Sequence, residues 1–132
     1  MQRTSKLSAI VHGKCPHCRR GNIFTGSLYG LNVQRTNTVC GNCSQRFEIE
    51  PGYFYAAMYV SYAMNVSEML ALGIATYTFS GGNLEFESLW LYLTVIFTGC
   101  LFLAPLNYWY ARVILLHLLS PKIRYDILFD KR

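Results

Sequence analysis

Charge placement constrains this chain more than any other feature. All 12 lysines and arginines lie in residues 1–46 or 112–132, and the stretch from Pro51 to Ala111 contains only three charged residues, Glu68, Glu85 and Glu87. The whole chain is 52% hydrophobic and 14% charged, whereas soluble domains are about 25% charged. The pattern predicts a polar N-terminal arm, a membrane-inserted body and a short basic tail.

Two apolar stretches of the body predict two transmembrane helices. Residues 53–79 and 88–111 are each long enough to cross a bilayer core of about 30 Å. Pro51 suits the first turn of the first helix, where its missing N–H costs nothing, and a polar turn from Ser80 to Asn83 joins the two stretches. We therefore predict an antiparallel two-helix hairpin within residues 51–119, with its second helix extended along the inner interface.

The topology follows from the basic residues. The connecting loop carries Glu85 and Glu87 but no lysine or arginine, and both flanking arms are basic. Cytoplasmic segments are enriched in lysine and arginine, so both termini, including a tail at residues 120–132, are expected in the cytoplasm. The apolar run from Leu7 to Val11 is too short for a cleavable signal. We assign the net charge of +5 to topology in the lipid bilayer, and expect no nucleic acid partner.

Four of the five cysteines form two C-x-x-C pairs, Cys15 with Cys18 and Cys40 with Cys43. Two thiolates from each tight turn can complete a tetrahedron around zinc, and paired knuckles at this separation are typical of zinc ribbons. Residues 46–50 alternate between polar and apolar in the manner of a half-buried strand. Residues 1–50 are therefore predicted to form a β-rich zinc ribbon, stabilised by zinc bound to these four cysteines.

Other interpretations of the cysteines and histidines stay open or are excluded. The first pair reads CPHC, which also occurs in thiol oxidoreductases, although no strand-helix-strand context surrounds it here. Haem attachment is excluded, because Arg19 and Ser44 stand where haem-binding sequences have histidine. His12 and His17 could replace a ligand, but plain surface positions fit them better. Cys100, inside the second span, is expected to be a buried small hydrophobe.

A polar stripe crosses the first predicted span. Ser61, Asn65 and Glu68 follow one another at i, i+4 and i+7, so they share one face of a helix, and such a face suits packing against another helix. Glu68 lies either deep in the bilayer or near the outer interface. If it is deep, we expect it to bond to Thr94 or Thr98 on the second helix, or to a partner protein.

Three motifs occur in a recognisable order: the knuckle CPHCRRGNIF, the second pair CGNC, and PGYF at Pro51 to Phe54. This order resembles a bacterial membrane family catalogued as domain of unknown function 983, and the resemblance extends from about Cys15 to Ile123. It implies a two-pass protein of the bacterial inner membrane. Genes of similar proteins are sometimes found beside those for haem-copper oxidase assembly, which implies a respiratory role. The resemblance brings no assigned activity.

These features favour a non-enzymatic accessory or assembly subunit. In this interpretation the zinc ribbon docks on a cytoplasmic surface, and the small hairpin packs against a larger membrane complex through its polar stripe. A partner within the membrane is expected, and no small-molecule substrate is indicated. The alternative is a thiol redox or metal-handling membrane protein, in which the C-x-x-C pairs exchange electrons or metal.

Overall fold

A computed structural model describes residues 4–26, 29, 35–82 and 85–130. Within these residues lie the helices α1 (Lys6–Val11), α2 (Tyr55–Phe79), α3 (Leu89–Ile114) and α4 (Ile127–Asp130). A 3-10 turn, Phe86–Ser88, precedes α3, and a π-helical turn, Leu115–Leu119, continues it. The chain therefore forms a long helical pair with a compact N-terminal segment, here called the cysteine segment (residues 4–50).

The helices α2 and α3 form an antiparallel hairpin. The hydroxyls of Ser80 and Tyr92 are 3.2 Å apart near the turn. Farther along, a Cβ on Gly99 would lie 2.6 Å from Leu72 Cδ1, so the absence of a side chain at Gly99 lets the helices approach closely. These two contacts set the register between the antiparallel helices.

The two helices differ in how apolar they are. Within the described ranges, one helical stretch, Phe86–Leu119, is long and apolar enough to cross a membrane by length and composition. The helix α2 has 25 residues but carries serines, an asparagine, a glutamate and several tyrosines, and it does not pass the same test. One membrane-capable helix is thus found, and the two-pass topology stays a prediction.

The β-rich ribbon predicted for the N-terminal region is wrong. The described part of residues 1–50 contains no strand, only isolated antiparallel bridges that join Lys14 to Asn22, Phe24 to Thr36 and Val39 to Arg46. Each knuckle closes its own turn with a backbone hydrogen bond, and the backbone bonds between the flanking segments form single bridges rather than a continuous ladder. The alternation at residues 46–50 has a different cause, because Phe47 and Ile49 pack into a small apolar core rather than onto a sheet.

That core joins the cysteine segment to the open end of the hairpin, the end away from the turn. Phe24 of the cysteine segment stacks on Trp109 of α3, with ring centroids 5.3 Å apart. Gly13 lies against the same ring: its φ is +58°, and a Cβ there would be 2.4 Å from Trp109 Cζ2. Phe47 and Val113 are fully buried in this core. The predicted units at residues 1–50 and 51–119 therefore share one core.

Candidate metal centre

Two similar turns present the four cysteines. In each turn, the residue after the second cysteine donates its N–H to the carbonyl of the first: Arg19 to Cys15 at 2.8 Å and Ser44 to Cys40 at 2.9 Å. Arg19 and Ser44 have φ values of 55° and 57°, a left-handed conformation that non-glycine residues adopt rarely. The repeated geometry brings two sulfurs from each turn to one place.

The sulfur positions fit a tetrahedral metal site. All four Sγ atoms lie within 4.8 Å of one another, with Cys15 and Cys43 at 3.8 Å and Cys18 and Cys40 at 3.7 Å. A tetrahedron with metal–sulfur bonds of about 2.3 Å has edges of about 3.8 Å. A disulfide would need about 2.05 Å, and all the cysteines are free thiols. The four residues can therefore hold one metal ion.

The thiols differ in how readily they ionise. Burial raises the pKa of Cys15 far above its ordinary value and raises the pKa of Cys43 to about 12. Burial opposes ionisation of Cys18 as well, but hydrogen bonds from the backbone N–H groups of Gly21 and Arg20 outweigh it and lower its pKa to about 7. Because metals bind thiolates, loading this site must release protons.

The C-terminal segment covers the first knuckle. The N–H of Asp126 donates to the carbonyl of His17 at 3.1 Å, and the ring of Phe129 lies 5.3 Å from the His17 ring. The Phe129 carbonyl also accepts from Asn42 Nδ2 of the second knuckle, at 3.3 Å. The tail therefore contacts both halves of the cysteine site, a contact that the sequence interpretation did not include.

A buried carboxylate fastens this tail. Asp130, 4% exposed, accepts hydrogen bonds from the Tyr125 hydroxyl (2.7 Å), Arg20 Nε (3.2 Å) and Thr4 Oγ1 (3.4 Å). The Tyr125 bond, with help from Arg20, holds the pKa of Asp130 below its usual range despite burial. Arg19 lies 3.7 Å above the Tyr125 ring. Arg19 also donates to the Thr4 carbonyl at 2.8 Å, so the arginines beside Cys18 contact described residues near both ends of the chain.

The two histidines considered as alternative ligands and the fifth cysteine lie outside the sulfur cluster. His12 is exposed, and its Nδ1 is 2.9 Å from the Ser8 carbonyl. His17 has its Nδ1 buried without a hydrogen-bond partner in the part of the chain that is described. Cys100 is half-buried in α3. Within the described residues, the ligand cluster consists of cysteines alone.

The polar stripe of α2 meets an asparagine of α3. The Nδ2 of Asn107, a residue only 2% exposed, donates to Asn65 Oδ1 at 2.6 Å and to Glu68 Oε2 at 2.7 Å. We call Asn65, Glu68 and Asn107 the hairpin polar cluster. Glu68 thus has a partner on the second helix, and it is Asn107, where we expected Thr94 or Thr98. The Thr94 hydroxyl bonds to its own helix at Leu91.

Ser61, the third residue of the predicted stripe, lines a small recess between the helices with Ala57 and Ala111. The larger side chains of Phe54, Met58 and Tyr108 line the same recess near the open end of the hairpin. The stripe divides into two residues that both accept from Asn107, namely Asn65 and Glu68, and a serine beside a recess.

Comparison of the chain with known families, proteins and structures found no similar protein. The chain matches no protein-family model, no curated protein and no solved structure. The resemblance noted from the motifs stays a prediction.

Proposed function

We propose that this chain is a zinc-binding protein that crosses the bacterial inner membrane twice, and that it acts as a non-enzymatic accessory or assembly subunit of a larger membrane complex. One observation carries the proposal: four cysteine sulfurs at tetrahedral spacing are built into the same core as the open end of an exposed apolar helical pair. In such a protein the cysteine segment forms a rigid, metal-stabilised unit, called the head below, directly at a membrane surface.

The outward faces of both helices support insertion as a pair. Leu70 and Ile74 of α2, and Phe97, Leu101 and Phe102 of α3, are each more than 60% exposed. At about 1.5 Å per residue, α2 is long enough to cross a core of about 30 Å. The amides and carboxyl of the hairpin polar cluster bond to one another rather than facing lipid, which reduces the cost of carrying them into a membrane.

Zinc is the metal that best suits the site. Four thiolates in a tetrahedral arrangement are typical of structural zinc, and a fourth protein ligand leaves no open position for a substrate or water. Cys15, Cys18 and Cys40 are at most 1% exposed. The ligands therefore favour a role in stabilising the head, which in turn favours an accessory subunit over an enzyme.

Thiol redox or metal-handling chemistry is the second candidate. The lowered pKa of Cys18 favours it, because a thiolate is the reactive form. Burial of three of the four sulfurs opposes it, because a redox partner or a metal donor must reach them. Cys43, the half-buried member, is the one sulfur that such a partner would meet first.

The test uses the full chain extracted in mild detergent. We expect one zinc per chain, loss of that zinc in Cys40→Ser, and co-purification of membrane proteins, with respiratory complexes examined first because the motif resemblance implies them. A reporter at Gly82 should read as outside the cytoplasm. Scarce zinc together with thiols that alkylate without a chelator would support the redox alternative, and a cytoplasmic reporter signal would contradict the two-pass topology.

A further inference from the structure

A cavity of about 760 Å³ lies where the cysteine segment meets the open end of the hairpin. One wall is formed by residues 35–38 and Glu48, and the other by the first residues of α2 and the last turns of α3. Its volume lies within the range of small-molecule sites, about 300 to 1,000 Å³. In the proposed membrane orientation this position is the cytoplasmic headgroup layer.

A positioned arginine supplies the main donor. The guanidinium of Arg112 lies 4.3 Å from the centroid of the Tyr108 ring and 4.9 Å from that of Phe54, and it donates to Thr36 Oγ1. A guanidinium carries five N–H donors in a planar fork that matches a phosphate. Because the two rings and Thr36 hold it in place, little further side-chain ordering is needed for it to bind an anion.

The cavity carries a net positive charge. Arg35 lines it together with Arg112, and Glu48 is the one acidic side chain among the described lining residues. Glu48 is partly engaged already, because its Oε1 accepts the N–H of Gly52 at 3.3 Å. Two arginines facing one partly engaged carboxylate favour an anionic ligand.

The same cavity opens onto an apolar surface. Tyr55 and Met58 form part of its lining, and they are 71% and 64% exposed on the outside of α2. A second recess of about 240 Å³ shares Met58 and Arg112 with the cavity and continues between the helices beside Ala57. A molecule whose anionic group bound in this cavity could therefore lay an apolar chain along the helices, on one side of the cavity.

We propose that this cavity binds an anionic glycerophospholipid of the bilayer, with its phosphate at Arg112 and Arg35 and one acyl chain along Met58 and Tyr55. The inference rests on the proposed membrane insertion. The occupant is a lipid rather than a free phosphate because the arginines and the apolar surface belong to one continuous cavity. The lipid would join the cysteine segment to the hairpin at the membrane surface.

The experiment measures lipid binding by native mass spectrometry on the zinc-loaded full chain in detergent. Phosphatidylglycerol should bind at least about tenfold more tightly than phosphatidylcholine, because a basic residue near the surface favours anionic lipid by about fivefold. Arg35→Gln should reduce that affinity by about fivefold, and Arg112→Gln, which also loses charged hydrogen bonds, by about tenfold or more. Arg124→Gln removes the same charge from an exposed tail position outside the cavity and should leave binding unchanged.

Zinc content and membrane flotation are measured on every variant. Arg112→Gln also loses the contact with Thr36, and this loss can disturb the head. If the zinc content of Arg112→Gln falls, the lipid affinity of Arg35→Gln with full zinc content becomes the test of the site. Equal binding of the two lipids, or equal effects of Arg35→Gln and Arg124→Gln, would overturn the proposal. Displacement of the lipid by inorganic phosphate alone would show a free-anion site and would also overturn it. Failure of the parent chain to float with vesicles would instead refute membrane insertion itself.

Discussion

Gly21 leaves room for a sulfur of the opposite knuckle. A Cβ at this position would lie 2.2 Å from Cys40 Sγ, whereas non-bonded heavy atoms prefer about 3.5 to 4.0 Å. The φ of Gly21 is outside the left-handed region, so the backbone itself would accept alanine. The substitution Gly21→Ala therefore tests one contact, between a methyl group and a ligand atom.

The size of the effect follows from the tolerance of metal bonds. Alanine at position 21 forces a shift of more than about 1 Å between Cβ and sulfur, but metal–ligand distances vary by only about 0.2 Å. Cys40 must therefore leave its ligand position or the knuckle must open. Structural zinc contributes about 10 to 16 kcal/mol through four ligands, so the loss of one thiolate should cost roughly 3 kcal/mol, a factor of about 100 in affinity.

The second knuckle provides a matched control. A Cβ on Gly41 would have no atom within 4 Å, so Gly41→Ala should retain the zinc affinity of the parent. The assay is competition for zinc between the detergent-solubilised full chain and a chromophoric chelator. Equal affinities for Gly21→Ala and Gly41→Ala would refute the packing argument, and with it the placement of Cys40 in the site.

Three further perturbations test other parts of the structure. Asn107→Leu removes the donor shared by the hairpin polar cluster and should weaken helix pairing by about 1 to 2 kcal/mol, which a lower melting temperature in detergent would show and an unchanged one would contradict. Gly13→Ala should destabilise the head much more than Gly81→Ala in the same melting assay, because both glycines have positive φ but only the Gly13 Cβ would meet Trp109. Asp130→Asn should release the C-terminal tail, at a cost of about 1.5 to 3 kcal/mol, and expose it to proteolysis. Because the pKa of Asp130 is lowered in the folded chain, its stabilisation is present above the unfolded value and is lost as pH falls through the folded one, so tail protection in the parent should fail only in acid.

The clustering of the four cysteines could be predicted from sequence because their spacing is the one that metal sites use. Two cysteines separated by two residues can point to one centre from a single turn, so Cys15, Cys18, Cys40 and Cys43 suffice to suggest a site. The strand prediction failed because alternation reports which side chains are buried, not what the backbone bonds to. Phe47 is buried against Trp109 and its neighbours, and this burial produces the same pattern as a sheet.

The partner of Glu68 could not be found from helix length alone. The length of the predicted spans favoured Thr94 or Thr98 as the partner, but the register in the structure is set by Ser80 against Tyr92 and by Leu72 against Gly99. Gly99 allows the two helices to approach closely where it meets Leu72, and this contact fixes which residues lie opposite each other along the hairpin. A polar residue on α3, Asn107, was the available signal, since a buried amide in an apolar helix needs a partner.

The shared core also dictates an order of events during synthesis. The cysteines leave the ribosome early, but Trp109, Val113 and Leu116, which complete the core around them, are made only after both long helices. Until then the sulfurs lack part of their cover, and a metal bound to them exchanges more freely. Full cover of the four sulfurs thus comes last, after the second long helix has been made, and a chain that stalls before that step leaves its thiols more open to reaction than the finished protein does.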